Sequence, residues 1–161
     1  LALVEKIKAN IPDVSLTTDI ICGFPEESEE EFNETLRFVD TVKFNKIHVF
    51  PYSVREGTVA AKMKQVDSSI KKDRTNRLIN WSSEAEKRFA AGFIGNKNSI
   101  LVEKEEVSDD GLRYVSGYTP EYVRAFVKAD GLDLTSIKGE IIDFVPESIR
   151  EDVIFGEMVK K

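Results

Sequence analysis

A short apolar segment that ends in a Gly-Phe-Pro loop and leads directly into a capped helix constrains the fold most strongly. Leu16 to Cys22 is rich in β-branched residues and has the length of a buried strand. Gly23-Phe24-Pro25 interrupts this strand, and Ser28 with Glu31 three residues later matches a helix capping box. Because α/β proteins bind ligands where a strand leads into a helix N-terminus, the segment predicts an α/β unit with a ligand loop.

The flanking residues alternate between helical and strand patterns. Leu1 to Asn10 has helical spacing, and a second helix is predicted from Glu29 to Val42. Lys46 to Phe50 predicts the next strand, and a long helix follows from Asp67 or Ser68 to about Ala91. The order helix, strand, helix, strand predicts parallel strands joined by right-handed crossovers.

After residue 92 the pattern changes to short strands separated by turn residues. Five strands are predicted: Ser99–Val107, Leu112–Thr119, Tyr122–Ala129, Gly139–Val145 and Asp152–Val159. Asp110-Gly111 is a strong hairpin signal between the first two of them. This pattern predicts a small antiparallel β-barrel of OB-like type.

Two blocks, in this order and at this spacing, resemble the methylthiotransferases of the radical-SAM superfamily. TDIICGFPEESEEEF resembles the family pattern TDII-x-GFPGET-x-x-x-F, and HVFPYSVREGTVAAKM, from His48 to Met63, resembles FPYS-x-R-x-GT-x-AA. The spelling HVFPYS is most similar to the MiaB-like branch that acts on N6-threonylcarbamoyladenosine in tRNA. Further along, ILVE, GYTPEY and KGEII resemble the TRAM domain, the RNA-binding appendage of this family.

The resemblance implies three parts. Residues 1–66 would be the C-terminal part of a partial (β/α)6 radical-SAM barrel, residues 67–92 a linker helix, and residues 93–161 a TRAM-like barrel. Because the chain begins with Leu1 and lacks the C-x3-C-x2-C loop of the family, we expect it to be a C-terminal fragment. Its partners would be tRNA and the N-terminal part of the same polypeptide.

By resemblance, the full-length protein would be a transferase that adds a methylthio group to N6-threonylcarbamoyladenosine in tRNA by radical chemistry. It would use S-adenosylmethionine and [4Fe-4S] clusters. Cys22 is the only cysteine, so we expect no cluster, no bound cofactor and no activity in this chain alone. Three alternatives stay open: a methylthiotransferase acting on an aspartate of a ribosomal protein, an RNA-binding module only, and a structural α/β piece whose barrel contacts protein.

The resemblance also assigns cofactor-binding residues to the two loops after the predicted strands. They are Ile21, Gly23, Phe24, Pro25, Tyr52, Ser53 and Arg55. The competing interpretation is ordinary strand-end punctuation for the first loop and a solvated loop for the second. Glu26 replaces a glycine of the family pattern, so the turn could differ here. Asp19 is expected to be paired inside its strand, and His48 and Cys22 are expected to be core residues rather than catalytic or metal-binding groups.

Charge is distributed unevenly along the chain. Residues 62–88 contain eight Lys or Arg and four Asp or Glu, a net charge of +4, whereas residues 92–161 carry nine and fourteen, a net charge of −5. RNA contacts are therefore expected at the seam between the long helix and the barrel, although a basic helix face is often only a solvated face. The predicted RNA-binding residues are Lys71, Lys72, Arg74, Arg77, Arg113, Tyr118, Tyr122 and Arg124.

Composition limits the remaining classes. Hydrophobic residues make up 41% of the chain and charged residues 32%, which is typical of a globular protein. No apolar segment approaches the roughly 20 residues that a membrane helix needs, and no signal-peptide pattern is present, so a cytoplasmic location is expected. An open sheet edge and an exposed apolar face in the first half would favour self-association.

Overall fold

The computed structural model describes residues 1–107, 111–129 and 137–159. It divides the chain into two compact units, Leu1–Ala85 and Glu86–Lys161. Among the described helices, none is long and apolar enough to cross a membrane. The finer division into barrel part, linker helix and TRAM-like domain stays a prediction.

The first unit is an α/β unit with a two-stranded parallel sheet. Its elements are α1 (Ala2–Asn10), β1 (Thr17–Cys22), α2 (Glu29–Val42), β2 (Lys46–Pro51), a short 3-10 helix (Ala60–Lys62) and the first part of α3 (Ser68–Ala91). β1 and β2 pair in parallel, from Thr17 opposite Lys46 to Cys22 opposite Pro51. The predicted parallel pairing is therefore confirmed, whereas assignment to a radical-SAM barrel stays a prediction.

The ends of α2 follow directly from the sequence. The Ser28 hydroxyl accepts a hydrogen bond from the Glu31 amide, and the Glu31 carboxylate accepts one from the Ser28 amide, so the predicted capping box is present. At the other end, Lys43 is left-handed, with φ of 57°, and its N–H donates to the carbonyl of Val39. This conformation closes the helix.

One face of the two-stranded sheet is covered and the other is not. Cys22 and Ile47 pack with Phe32 and Val39 of α2 and with Leu78 of α3 in one buried cluster. Residues in register on parallel strands share a face, which places Asp19 beside His48 and Ile21 beside Phe50 on the opposite side.

These four residues are all exposed. The interpretation of His48 as a core residue is therefore wrong, because its side chain alternates away from the helices. Asp19, which was expected to be paired inside its strand, is exposed beside it. The burial of Cys22 is confirmed. We call Asp19, Ile21, His48 and Phe50 the uncovered face.

The second unit is a closed five-stranded barrel. Its strands are β3 (Asn98–Val107), β4 (Arg113–Tyr118), β5 (Arg124–Lys128), β6 (Ile141–Arg150) and β7 (Val153–Met158). They are ordered β3-β4-β5-β7-β6, and β6 pairs with β3 to close the barrel. Asp110 of the predicted hairpin turn lies outside the described residues.

The barrel is mixed rather than antiparallel, so that part of the prediction is wrong. β6 pairs with β3 and not with β5, which leaves β7 to run back between β6 and β5. β7 is thereby antiparallel to β6 and parallel to β5. β6 also extends past the predicted end at Val145 to Arg150, and the register shifts between Pro146 and Ser148. Proline has no N–H for the ladder, which explains an irregularity at that point.

Alternate strand residues fill the barrel. Its core includes Ile100, Val102, Val115, Ala125, Val127, Phe144 and Ile154, all buried. Two glycines permit close approach of neighbouring strands: a Cβ on Gly117 would lie 1.8 Å from the Leu101 carbonyl oxygen, and one on Gly156 would lie 2.1 Å from the Val145 carbonyl oxygen.

Candidate functional site

The loop after β1 and the start of the segment after β2 meet at the carboxyl ends of the two strands. The Tyr52 N–H donates to the Cys22 carbonyl oxygen at 2.8 Å, which ties the two connections together. Gly23 is left-handed, with φ of 69°, and its N–H donates a short hydrogen bond to the Glu27 carboxylate. We call residues 22–27 the strand-end loop.

Glu26 occupies the position where the family pattern has glycine. Its φ is 67°, in the left-handed region, and its N–H donates to the Lys64 carbonyl oxygen at 3.0 Å. A non-glycine residue in this conformation costs about 1–2 kcal/mol. The strand-end loop therefore has the left-handed backbone that glycine adopts readily, despite the substitution.

The predicted cofactor-binding residues include two aromatic rings that contact each other. Phe24 and Tyr52 pack edge to face with ring centroids 5.1 Å apart. Phe24 is 46% exposed and Ile21 61% exposed, whereas Pro25 is buried. Apolar groups open to solvent beside a glycine turn could contact a nucleoside. Ser53 and Arg55 are exposed in the segment that follows Tyr52.

Lys71 of α3 is part of this arrangement, which the sequence did not indicate. Its side-chain stem lies on Gly23, so that a Cβ there would be 2.3 Å from the Lys71 Cγ. Its Nζ lies 5.9 Å from the Tyr52 ring centroid. Lys71 was predicted to contact RNA phosphate, but the structure brings it to the strand-end loop.

Arg74 lies one turn further along α3 and is buried, with 3% exposure. Its Nη1 donates to the backbone carbonyl of Glu27 at 3.0 Å and to the Glu27 carboxylate at 3.1 Å, and its Nη2 donates to Glu29 at 3.3 Å. A guanidinium held this way inside the α/β unit is not available to a phosphate. Arg74 was predicted to contact RNA, but the structure places its guanidinium against Glu27 and Glu29.

Arg77 is also engaged within the α/β unit. It donates to the Glu29 carboxylate at 2.7 Å and to the Asn33 side chain at 3.1 Å, and its guanidinium lies 4.6 Å from the centroid of the Phe32 ring. The hydrogen bond from Arg77 holds the pKa of Glu29 below its ordinary value. The basic segment that the sequence showed is thus partly neutralised by the acidic first turn of α2.

A cluster-type metal site is not supported by the described residues. Nowhere in residues 1–107, 111–129 or 137–159 do three or more His, Cys, Asp or Glu side chains come together to hold a metal ion. The Cys22 sulfur instead lies 3.2 Å from the Thr75 hydroxyl, which itself donates to the Lys71 carbonyl oxygen at 2.7 Å. The thiol is therefore the natural donor to Thr75.

The outer face of the barrel carries a second set of candidate residues. Tyr118 opposes Arg124 across β4 and β5, and Tyr122 follows in the connecting turn. The Tyr118 and Tyr122 rings stack at 5.0 Å with an angle of 26°. Tyr122 is 79% exposed and left-handed, with φ of 67°. A bulky residue in this conformation is strained, and such residues cluster at functional sites.

Two phenylalanines that sequence reasoning missed continue this face. Phe126 and Phe155 are in register on β5 and β7, and their rings stack at 5.1 Å with an angle of 24°. The guanidinium of Arg124 lies 5.5 Å from the Phe126 ring centroid, and that of Arg150 lies 4.7 Å from the Phe155 ring centroid. Phe126 and Phe155 alternate along their strands with the buried Ala125, Val127 and Ile154. This alternation was the sequence signal that could have placed the two rings on the outer face.

The predicted arginines of β4 and β5 form ion pairs with carboxylates of β3. Glu106 accepts from Arg124 at 2.7 Å and pairs with Lys104 at 2.8 Å, and Lys104 is the main cause of the lowered pKa of Glu106. Arg113 donates to Glu105 at 2.5 Å. The predicted residues Arg113 and Arg124 are therefore both ion-paired. Arg124 lies on the outer face, where Glu106 moderates its positive charge, whereas Arg113 lies on the same side of β4 as the buried Val115.

Comparison with known proteins finds relatives with two descriptions, and both concern the methylthiolation of tRNA. The chain is 39% identical over 125 residues to "Threonylcarbamoyladenosine tRNA methylthiotransferase MtaB" of Bacillus subtilis, covering 77% of this chain and 28% of that protein. It is 46% identical over 109 residues to the "tRNA-2-methylthio-N(6)-dimethylallyladenosine synthase" of Acetivibrio thermocellus, covering 67% of this chain and 23% of that protein. A protein of the same description from Fusobacterium nucleatum is 35% identical over 160 residues, 99% of this chain and 35% of that protein.

The chain thus spans about a quarter to a third of the length of these relatives. A scan against protein-family models finds no match.

Proposed function

Because the homologues of this chain over most of its length are tRNA methylthiotransferases, we propose that it forms part of such an enzyme. The similarity to the Fusobacterium nucleatum protein carries the proposal, since its 160 aligned residues run through both the α/β unit and the barrel. In this proposal the α/β unit is the last part of a radical-SAM barrel and the second unit is a TRAM-type RNA-binding domain.

We propose N6-threonylcarbamoyladenosine in tRNA as the nucleoside that the complete enzyme modifies. The HVFPYS segment and the 39% identity to the Bacillus subtilis relative support this choice. A dimethylallyladenosine substrate is the second candidate, favoured by the 46% identity to the Acetivibrio thermocellus relative.

Mass spectrometry of tRNA nucleosides tests both substrates. Purified complete enzyme would be incubated with tRNA bearing either modified adenosine, with S-adenosylmethionine and a reductant. A methylthio product on the threonylcarbamoyl nucleoside alone supports the proposal, and a product on the dimethylallyl nucleoside alone replaces it with the second candidate. Modification of neither tRNA, with methylthiolation of a ribosomal-protein aspartate instead, would contradict both.

The proposed cofactor contacts are Ile21, Gly23, Phe24, Pro25, Tyr52, Ser53 and Arg55. The exposed Ile21 and Phe24 and the ring of Tyr52 fit the apolar surface of a nucleoside. When bound, S-adenosylmethionine supplies the radical chemistry and the methyl group. In this chain the left-handed Gly23 turns the loop beneath the Lys71 stem, and Lys71 adds a positive charge beside Tyr52.

The [4Fe-4S] clusters would be held elsewhere in the complete enzyme. One buried cysteine cannot ligate a cluster, so no step is assigned to iron in this chain. We propose that the chain alone is inactive. Iron and sulfide analysis after anaerobic reconstitution should give no stoichiometric cluster on it.

For RNA, we propose base stacking on the outer face of the barrel, by Tyr118 and Tyr122, with Arg124 contributing charge. The exposed and strained Tyr122 is the feature that supports this. Each stacked base is typically worth about 1–3 kcal/mol. Tyr122→Ala should therefore weaken binding of a tRNA anticodon stem-loop by roughly fivefold or more with little change in salt dependence, whereas Lys72→Ala should reduce the salt slope by about one unit.

The uncovered face of the sheet is proposed as a contact surface for the rest of the polypeptide or for a second copy. Ile21 and Phe50 are 61% and 50% exposed there. Light scattering after size-exclusion chromatography would compare the wild-type chain with Phe50→Lys. A wild-type chain that stays monomeric at all accessible concentrations would rule out self-association.

A further inference from the structure

The first half of α3 contacts the strand-end loop at three successive points. Thr75 meets Cys22, the Lys71 stem covers Gly23, and Arg74 donates to Glu27. These three α3 residues lie on one helix face, because i, i+3 and i+4 positions share a face. α3 therefore fixes the beginning, the turn and the end of the loop.

We propose that Arg74 is a positioning residue that holds the strand-end loop in the conformation required for cofactor binding. This inference rests on the proposed function, in which the same loop contacts S-adenosylmethionine. Arg74 would act through Glu27: the guanidinium orients the Glu27 carboxylate, and the carboxylate orients the Gly23 amide.

The geometry of Glu27 supports this chain of contacts. A single nitrogen of Arg74, Nη1, donates both to the Glu27 carbonyl oxygen at 3.0 Å and to its carboxylate at 3.1 Å. The oxygen that receives the second bond is Oε2, which also accepts the Gly23 N–H. Arg74 thus fixes the Glu27 side chain relative to its own backbone, and a carboxylate fixed in this way sets the direction of the Gly23 N–H.

The burial of Arg74 carries a free-energy penalty. It is 3% exposed, and its Nε has no hydrogen-bond partner among the described residues. A buried polar hydrogen without a partner is unfavourable, so packing alone does not explain an arginine at this position. A conformational role for the residues it binds does explain it.

The Gly23 backbone is constrained from two further directions. Its φ of 69° is left-handed, and the Lys71 stem leaves no room for a Cβ. A loop fixed by a special backbone angle, a packed side chain and a charged hydrogen bond is preorganised, as binding sites require.

Arg77 provides a matched control. Like Arg74, it lies over the Phe32 ring and bonds to Glu29, but the contacts described for it do not include Glu27. Arg77→Gln therefore removes the same charge from the same helix without changing the proposed contacts from Arg74 through Glu27 to Gly23. Val39→Ala serves as a second control that lowers the stability of the α/β unit from its core.

The first measurement is amide hydrogen exchange of Gly23, by NMR, on the chain itself. Arg74→Gln should reduce the protection of this amide about tenfold or more, since hydrogen bonds to charged groups are among the stronger ones. Arg77→Gln and Val39→Ala should change its protection, relative to neighbouring core amides, less than twofold. Arg74→Lys should restore protection only in part, because it lacks the planar fork. Unchanged protection in Arg74→Gln would overturn the inference whatever the loop binds.

The second measurement is the dissociation constant of S-adenosylmethionine for the complete enzyme, by equilibrium dialysis. Arg74→Gln should raise it about tenfold, and Arg77→Gln less than twofold. If the wild-type enzyme does not bind S-adenosylmethionine, the proposed function fails. The exchange result still shows whether Arg74 holds the Gly23 amide through Glu27. The positioning role is wrong if Arg74→Gln loses Gly23 protection but keeps the wild-type affinity for S-adenosylmethionine. It is also wrong if Val39→Ala weakens S-adenosylmethionine binding as much as Arg74→Gln does.

Discussion

The two sheets of this protein follow the same rules of alternation but differ in what they leave open. In the barrel, every strand has two neighbours and the inner side chains, such as Phe144, are fully buried. In the α/β unit, β1 and β2 have only each other among the described strands, and Ile21 and Phe50 face outward. The barrel satisfies its own edges, whereas the α/β unit keeps an edge and a face available beside its candidate ligand loop.

The difference extends to how glycine is used. In the barrel, Gly117 and Gly156 allow neighbouring strands to approach, so they serve closure of the sheet. In the α/β unit, Gly23 turns the chain at a strand end under a lysine stem, so it serves the shape of a loop. Closure is a property of the barrel as a whole, while the loop depends on a few contacts from α2 and α3.

The largest expected effect separates the two cores. Phe144→Ala in the barrel and Phe32→Ala in the α/β unit each remove a ring with 0% exposure. Each should lower the free energy of unfolding of its own unit by about 3–5 kcal/mol, through lost burial and the cavity left behind. Urea unfolding followed by NMR signals assigned to each unit measures both. Equal loss of signal from both units in both variants would show that the units do not unfold separately.

The second prediction tests closure of the barrel. Gly117→Ala places a methyl group against the Leu101 carbonyl carbon and oxygen, a backbone that cannot rotate away, and should destabilise the barrel by about 1–3 kcal/mol or more. Gly139→Ala is the control, since nothing lies within 4 Å of its added Cβ and only its φ of 86° is unfavourable. Thermal unfolding by circular dichroism should rank Gly117→Ala below Gly139→Ala. The reverse order would contradict the close approach of β3 and β4.

Much of the fold could be predicted from the sequence because it depends on local patterns. The capping box of Ser28 and Glu31 and the bounds of α2 from Glu29 to Val42 are set by residues a few positions apart. The parallel pairing of β5 with β7 could not be predicted in this way, because it depends on which distant strand β6 pairs with. The alternation of apolar and polar residues does not by itself determine which distant strands pair.

The candidate site shows the same limit. Gly23, Phe24 and Pro25 were identified as a loop because strand, turn and helix signals are contiguous. Arg74 and Lys71 were assigned to a basic surface because charge counts do not show which carboxylates pack against them. The contacts of Arg74 with Glu27 and of Lys71 with Gly23 join residues more than 40 positions apart.

The third prediction concerns the start of α2, next to the strand-end loop. Ser28→Ala removes the side-chain acceptor for the Glu31 amide and should destabilise the α/β unit by about 1 kcal/mol. Ser69→Ala is the control on α3, because Asp67 retains its hydrogen bond to the Ser69 amide there. Urea midpoints followed by α/β-unit NMR signals would measure the difference. A Ser69→Ala variant that loses as much stability as Ser28→Ala would contradict the role of the cap.

The same cap gives a fourth prediction, a pH signature. The Ser28 amide is the main cause that holds the pKa of Glu31 below its ordinary value of 4.5. A carboxyl group with a lowered pKa in the folded state contributes stability above its ordinary value and loses it as the pH falls through the folded value. Wild-type stability in the α/β unit should therefore decline below about pH 4.5. In Glu31→Gln the decline should be shallower, whereas an unchanged slope would show that Glu31 does not contribute to it.

The smallest expected effect compares the left-handed residues of the two units. Lys43 ends α2 with φ of 57°, and Tyr122 turns between β4 and β5 with φ of 67°. Glycine adopts this conformation without the penalty that a Cβ brings, but it loses more freedom on folding. At either position the glycine variant should therefore be more stable than the alanine variant by about 0.5–1 kcal/mol, the reverse of the order in ordinary helices and strands. Comparing Gly with Ala, rather than with the wild type, removes the Tyr118–Tyr122 stack from both sides. If Tyr122→Ala proves more stable than Tyr122→Gly while the Lys43 pair behaves as expected, the strain at Tyr122 is absent, and the support it gives to a base-stacking role for this ring is lost.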